Sequence, residues 1–124
     1  MLRAQVELAA GDPTKARELL RPAAELALTS RDGPVVGMVA EVAAQLAHAE
    51  GDQAAVVDLL ASAVARRGTL DYGAPEVAAL LAALGPHADE QIDAVAPRTG
   101  AATLTGFLSR DPVCEGARVS GGKR

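Results

Sequence analysis

Apolar residues recur every three to four positions along most of the chain, the spacing that lays one stripe along a helix. Residues 13–29 carry the stripe Ala16, Leu19, Leu20, Ala23 and Ala27. In that register Arg17, Arg21 and Glu25 fall four apart on the outer face, where they can pair along the helix. Pro22 removes one backbone donor and predicts a kink. A third helix is predicted over 34–50, on Val35, Val39, Val42, Ala43 and Leu46. A fourth covers 53–67, on Val56, Leu59, Leu60, Ala63 and Val64, and a fifth covers 75–85, on Val77, Leu80, Leu81 and Leu84. Residues 1–10 form a shorter first helix with Leu2, Val6 and Ala9 inward.

The breaks between these stripes have physical causes. Gly11 and Gly51 supply the left-handed conformation that ends a helix. Asp12 and Asp52 follow as N-caps, and Pro13 takes the first helical position, where its missing N–H costs nothing. Residues 30–34, Ser-Arg-Asp-Gly-Pro, are a turn cluster, and residues 68–74 are a loop. Beyond Pro86 the periodicity weakens. Residues 88–95 fit a sixth helix, closed by Pro97, and residues 99–108 fit helix or strand alike. From Ser109 onward glycine and charge without period predict a disordered tail, dispensable for folding. The chain thus divides into a repeat domain over 1–85, a helical extension over 86–108 and a tail over 109–124.

Residues 4–24 and 44–64 are two copies of one pattern, offset by 40 positions. Val6, Ala9, Gly11, Asp12, Ala16, Leu19, Leu20 and Ala23 fall on Leu46, Ala49, Gly51, Asp52, Val56, Leu59, Leu60 and Ala63. A helix, a Gly-Asp break and a second helix, repeated, is the mark of an α-helical array. The first helix is about two turns shorter than its counterpart. The chain is therefore expected to be a fragment of a longer array, with an N-terminal face open to self-association.

Composition sharpens the helical reading. Alanine and leucine carry the apolar content, and there is one Phe, one Tyr and no Trp. Alanine has the highest helix propensity, whereas sheets favour β-branched and aromatic residues. The expected class is all-α. The net charge of −4, with acids and bases interleaved, lacks the clustered basic face of a nucleic-acid binder. The single Cys114 excludes an internal disulfide and fits a reducing, cytoplasmic setting. No segment reads as a signal peptide or a membrane span.

The runs built on Leu8, Gly11, Asp12, Ala16, Leu19 and Leu20, and on Gly51, Asp52, Val56, Leu59 and Leu60, resemble tetratricopeptide repeats. The period of 40 exceeds the usual 34 of that family. A narrower resemblance rests on Ala27-Leu28, Ser30-Arg31-Asp32, Pro34-Val35-Val36, Val39-Ala40-Glu41, Ala43, Glu50-Gly51-Asp52, Leu59-Leu60, Ala63, Arg66 and Gly68. These residues are similar to the C-terminal helical-repeat region of large actinobacterial transcriptional regulators. The regulators are of the SARP and bacterial-transcriptional-activator-domain type and the related LuxR type. The resemblance implies tetratricopeptide-like hairpins, an α-solenoid fragment, that sense or hold a protein partner or adjacent domains. In such regulators separate domains bind DNA and nucleotide.

Little in the sequence points to chemistry. No phosphate-binding loop is formed: the glycines of the helical region are single, and the Gly121-Gly122-Lys123 string of the tail lacks an upstream strand and a downstream helix. His48 and His87 lack companions at ligand spacing, and Cys114 falls in the expected disordered tail, whereas a catalytic thiol needs a structured, electropositive setting with a base. No catalytic residue, metal or cofactor is expected. The candidate contact surface is a polar stripe on the third helix, Glu41, Gln45 and His48, at i, i+4 and i+7. Gln5 occupies the place of Gln45 in the first copy. The resemblance puts this stripe on the groove-lining helices of a tetratricopeptide array. The reading is an interaction or sensing module, not an enzyme, acting without direct nucleic-acid or membrane contact. A small-molecule-binding or enzymatic helical domain is the alternative.

Overall fold

The two Gly-Asp breaks are the same turn built twice. In a computed structural model, which describes residues 2–110, Gly11 and Gly51 have φ of 85° and 80°. Gly11 N–H donates to Leu8 C=O at 3.1 Å and Asp12 N–H to Glu7 C=O at 2.8 Å. Gly51 N–H donates to His48 C=O at 3.0 Å and Asp52 N–H to Ala47 C=O at 2.9 Å. This crossed pair of bonds satisfies the last free carbonyls of each helix. Each aspartate then caps the next helix: Asp12 Oδ1 accepts from Lys15 N–H and Asp52 Oδ1 from Ala55 N–H, both at 3.0 Å.

The helices follow the predicted order. They are α1 (Leu2–Ala9), α2 (Pro13–Ser30), α3 (Gly33–Ala49), α4 (Gln53–Arg67), α5 (Pro75–Leu84) and α6 (Ala88–Val95). A 3-10 turn over Ala96–Arg98 leads into α7 (Ala101–Leu108). The protein is all-α, with no strand among the described residues. The segment that fits helix or strand in the sequence is helical. Leu104, Phe107 and Leu108 recur at helical spacing and all three are buried. α2 runs unbroken through Pro22, which sits on the exposed side of the helix.

α1, α3 and α5 lie side by side, with α2 behind α1 and α3, and α4 behind α3. α6 packs on α4 and α5. α7 returns across the back, bridging α2 and α4 and touching α3. The sixth and seventh helices therefore belong to the same core as the repeats, through Ile92, Leu104, Phe107 and Leu108. α3 is covered nearly all round: Ala40, Ala43, Ala44, Leu46 and Ala47 are fully buried. Small side chains permit this close approach. At Gly33 a β-carbon would stand 2.6 Å from the backbone oxygen of Arg66, so only glycine lets the start of α3 meet the end of α4.

Two sequence expectations are corrected. In α1 the inward residues are Ala4 and Leu8, whereas Ala9 is exposed and Val6 is 56% exposed. A short helix packed on one side only buries a narrow stripe, and Ala4 and Leu8 lie on it at i and i+4. The side chain of Leu2 lies outside the described residues. Arg17, expected on the outer face of α2, is 1% exposed, because α7 lies over that face. The tail expectation falls on residues 111–124, outside the described residues, together with Cys114. Ser109 and Arg110 are described, and the Arg110 guanidinium lies 2.9 Å from Asp52 Oδ2.

Candidate functional site

Among the described residues, arginine contacts gather around the end of α7. α2 presents Arg17 and Arg21, one helical turn apart, toward that end. Arg17 Nη1 donates to the Phe107 carbonyl, and its Nη2 lies 2.6 Å from Glu50 Oε1. The Arg17 guanidinium carbon stands 4.5 Å from the centre of the Phe107 ring, and so does that of Arg110. Arg21 Nε donates to Leu108 C=O at 2.6 Å, and its Nη2 to Arg110 C=O at 3.4 Å. The last carbonyls of a helix carry partial negative charge, and cations there are favourable. Arg17 Nε is buried and has no hydrogen-bond partner among the described residues. The seat therefore holds a buried donor that α7 leaves unused.

Beside this seat a cleft of about 460 Å³ opens between α4, the 3-10 turn and α7. Its polar lining is Asp58, Arg98, Thr99, Thr103 and Arg110, over Leu59 and Phe107. These groups offer charge and hydrogen bonds to a ligand. Among the described residues there is no cluster of three histidine, cysteine or acidic side chains that could hold a metal ion.

The structure disperses the polar stripe of α3. Glu41 is 5% exposed. Its carboxylate accepts from Arg67 Nη2 and, at 2.8 Å, from the backbone N–H of Asp71. This pair ties the loop after α4 down onto α3 and removes Glu41 from any contact surface. Gln45 and Gln5 are half-buried on the neighbouring helices α3 and α1, and His48 is exposed. His48 Nδ1 lies 3.4 Å from Gln53 Nε2. Of the four candidate residues, Gln5, Gln45 and His48 remain accessible.

The sequence held a signal for the residues it missed. Where α2 carries Arg17 and Arg21, the second copy carries Val57 and Ala61 at the equivalent positions. A charge in one copy against an apolar residue in the other marks a departure from the repeat, and both departures face α7.

No family model, no curated protein and no solved structure matches the chain. Among the described residues no helix is long and apolar enough to cross a membrane.

Proposed function

We propose that this chain is a helical-repeat interaction or sensing module without catalytic activity of its own. Its repeats are of tetratricopeptide type and serve a larger bacterial transcriptional regulator in the cytoplasm, as the sequence resemblance implies. The observation that carries the reading is the duplicated hairpin, with the same turn, the same crossed hydrogen bonds and the same aspartate cap at an interval of 40 residues. Stacked hairpins of one geometry make a rigid surface, which binds by shape and by a few polar groups. The surface lies along α1, α3 and α5, with Gln5, Gln45 and His48 as its accessible polar groups. The partner is a protein or an adjacent domain. A second copy docking on the face around Val6 belongs to the same reading.

Affinity capture with the chain and with its Gln5→Ala/Gln45→Ala/His48→Ala variant tests this, with circular dichroism to show equal helicity. A partner held by the first and lost by the second is expected. Capture indifferent to the three substitutions overturns the assignment of the surface.

One observation favours a second reading, a small-molecule-binding domain. The cleft beside α7 has a volume in the range of ligand pockets and a mixed lining of Asp58, Arg98 and two threonines. Saturable binding of a small zwitterionic or phosphorylated metabolite, lost in Arg98→Ala, would select it.

A further inference from the structure

The seat of α7 is more elaborate than the helix that fills it. α7 has eight residues, among them Thr103, Thr105 and Gly106, which are poor helix formers. Gly106 has no packing reason to be glycine, since a β-carbon there would meet nothing within 4 Å. The helix is therefore weak by itself. It is held by Leu104, Phe107 and Leu108, at i, i+3 and i+4, in the groove between α2 and α4. It is also held by charge. Arg17 and Arg21 take its last carbonyls, and Arg110, at i+6, reaches Asp52. Arg17 and Arg21 occupy positions at which the second copy has Val57 and Ala61, so this half of the groove is specific to one repeat.

We infer that the groove between α2 and α4 is a binding site for an amphipathic helix supplied by a partner protein, with α7 as its built-in competitor. The fitting partner carries large apolar residues at i, i+3 and i+4 and a basic residue at i+6. Charge complementarity fixes that polarity and direction. The arginine pair on α2 receives the carbonyl end of the helix, and Asp52 at the start of α4 receives the basic residue. The unused Nε of Arg17 leaves one donor for a further acceptor on the incoming helix. Such binding uses the back of the molecule, apart from the α1, α3 and α5 surface, and stands whether or not that surface binds anything.

The test uses the full chain and a dye-labelled, end-blocked peptide of residues 99–110 as the stand-in for a partner helix. Fluorescence anisotropy is read against three proteins: the unaltered chain, Phe107→Ala and Gly106→Ala. Phe107→Ala loosens the resident helix and should raise peptide affinity about tenfold, because apparent affinity scales with the fraction of open groove. Gly106→Ala strengthens the resident helix without touching the groove and should lower affinity about fivefold. The peptide bearing Arg110→Glu should bind more weakly to all three. A folded Phe107→Ala protein that binds no peptide overturns the inference, as does a glutamate peptide that binds as well as the original. If Phe107→Ala fails to fold, the unaltered chain and Gly106→Ala decide, and equal affinities overturn the inference. A dimer of the unaltered chain that the peptide dissociates would assign the groove to a second copy's α7 and likewise overturn it.

Discussion

The two copies of the repeat share a turn but not an environment. Leu46, on α3, is fully buried, while its counterpart Val6 is 56% exposed. Ala43 and Ala47, fully buried, become Arg3 and Glu7 in the first copy. α3 touches α1, α2, α4, α5 and α7, whereas the main contacts of α1 among the described residues are with α2 and α3. The turn is local chemistry, a glycine that accepts positive φ and an aspartate that caps, so it copies with the sequence. Burial depends on what stands beside each helix, and it does not copy.

The sharpest break of this comparison is at one repeat position. Leu46→Ala should cost about 2–5 kcal/mol in urea unfolding, the usual range for a large-to-small change in a packed core. Val6→Ala, its equivalent, should cost less than about 0.5 kcal/mol. Equal losses would mean that the outer side of α1 is covered in solution, which sedimentation would then show as association.

A second pair of variants tests the back of α2 at Arg17, where the second copy has Val57. Arg17→Ala removes the bond to the Phe107 carbonyl and the partner of Glu50, and should cost about 2–3 kcal/mol. Arg17→Met keeps the apolar stem and should recover part of that loss. The same unfolding curves read both.

A third pair separates the caps. Asp12→Ala should cost about 1 kcal/mol, the usual value for losing an N-cap. Asp52→Ala should cost more, because Asp52 also binds Arg110. Asp52→Asn, which keeps a capping side chain, should fall between Asp52→Ala and the unaltered protein.

The smallest effect concerns Tyr72, in the loop that Glu41 anchors. Partial burial, and then the negative charges of Asp89 and Asp93, raise its phenol above the ordinary 10.0. Tyr72 is the only tyrosine, so ultraviolet titration reads it alone and should give a midpoint above that value, lowered by Asp89→Asn. The neutral phenol favours the folded state, so this contribution is complete below pH 10 and is lost as pH rises through the folded pKa.

Much of the helix order was legible. The limits of α4 and α6 coincide with the predicted 53–67 and 88–95, because caps, glycines and prolines mark them locally. The Asp12 and Asp52 turns were legible for the same reason. The phase of α1 and the burial of Arg17 were not. Both depend on neighbours: α7, which covers Arg17, follows it by some ninety positions. Periodicity reports which side of a helix is apolar, and Arg17 is a charge at a site apolar in the other copy. The polar stripe of α3 misled in the converse way. Glu41 looked like a surface acid and is the anchor of a loop.

The span between Arg17 and Phe107 also sets an order of events in time. Contacts within α3 and α4 are close in sequence and can form as soon as that hairpin exists. The clasp of Arg17 and Arg21 must wait for α7. On a ribosome adding about 5–20 residues per second, the stretch from Arg67 to Arg110 takes roughly 2–9 s. For those seconds the nascent chain holds Arg17 and Arg21 without the carbonyls that they bind in the complete fold. Whatever else the cell offers of the right shape has that interval in which to meet it first.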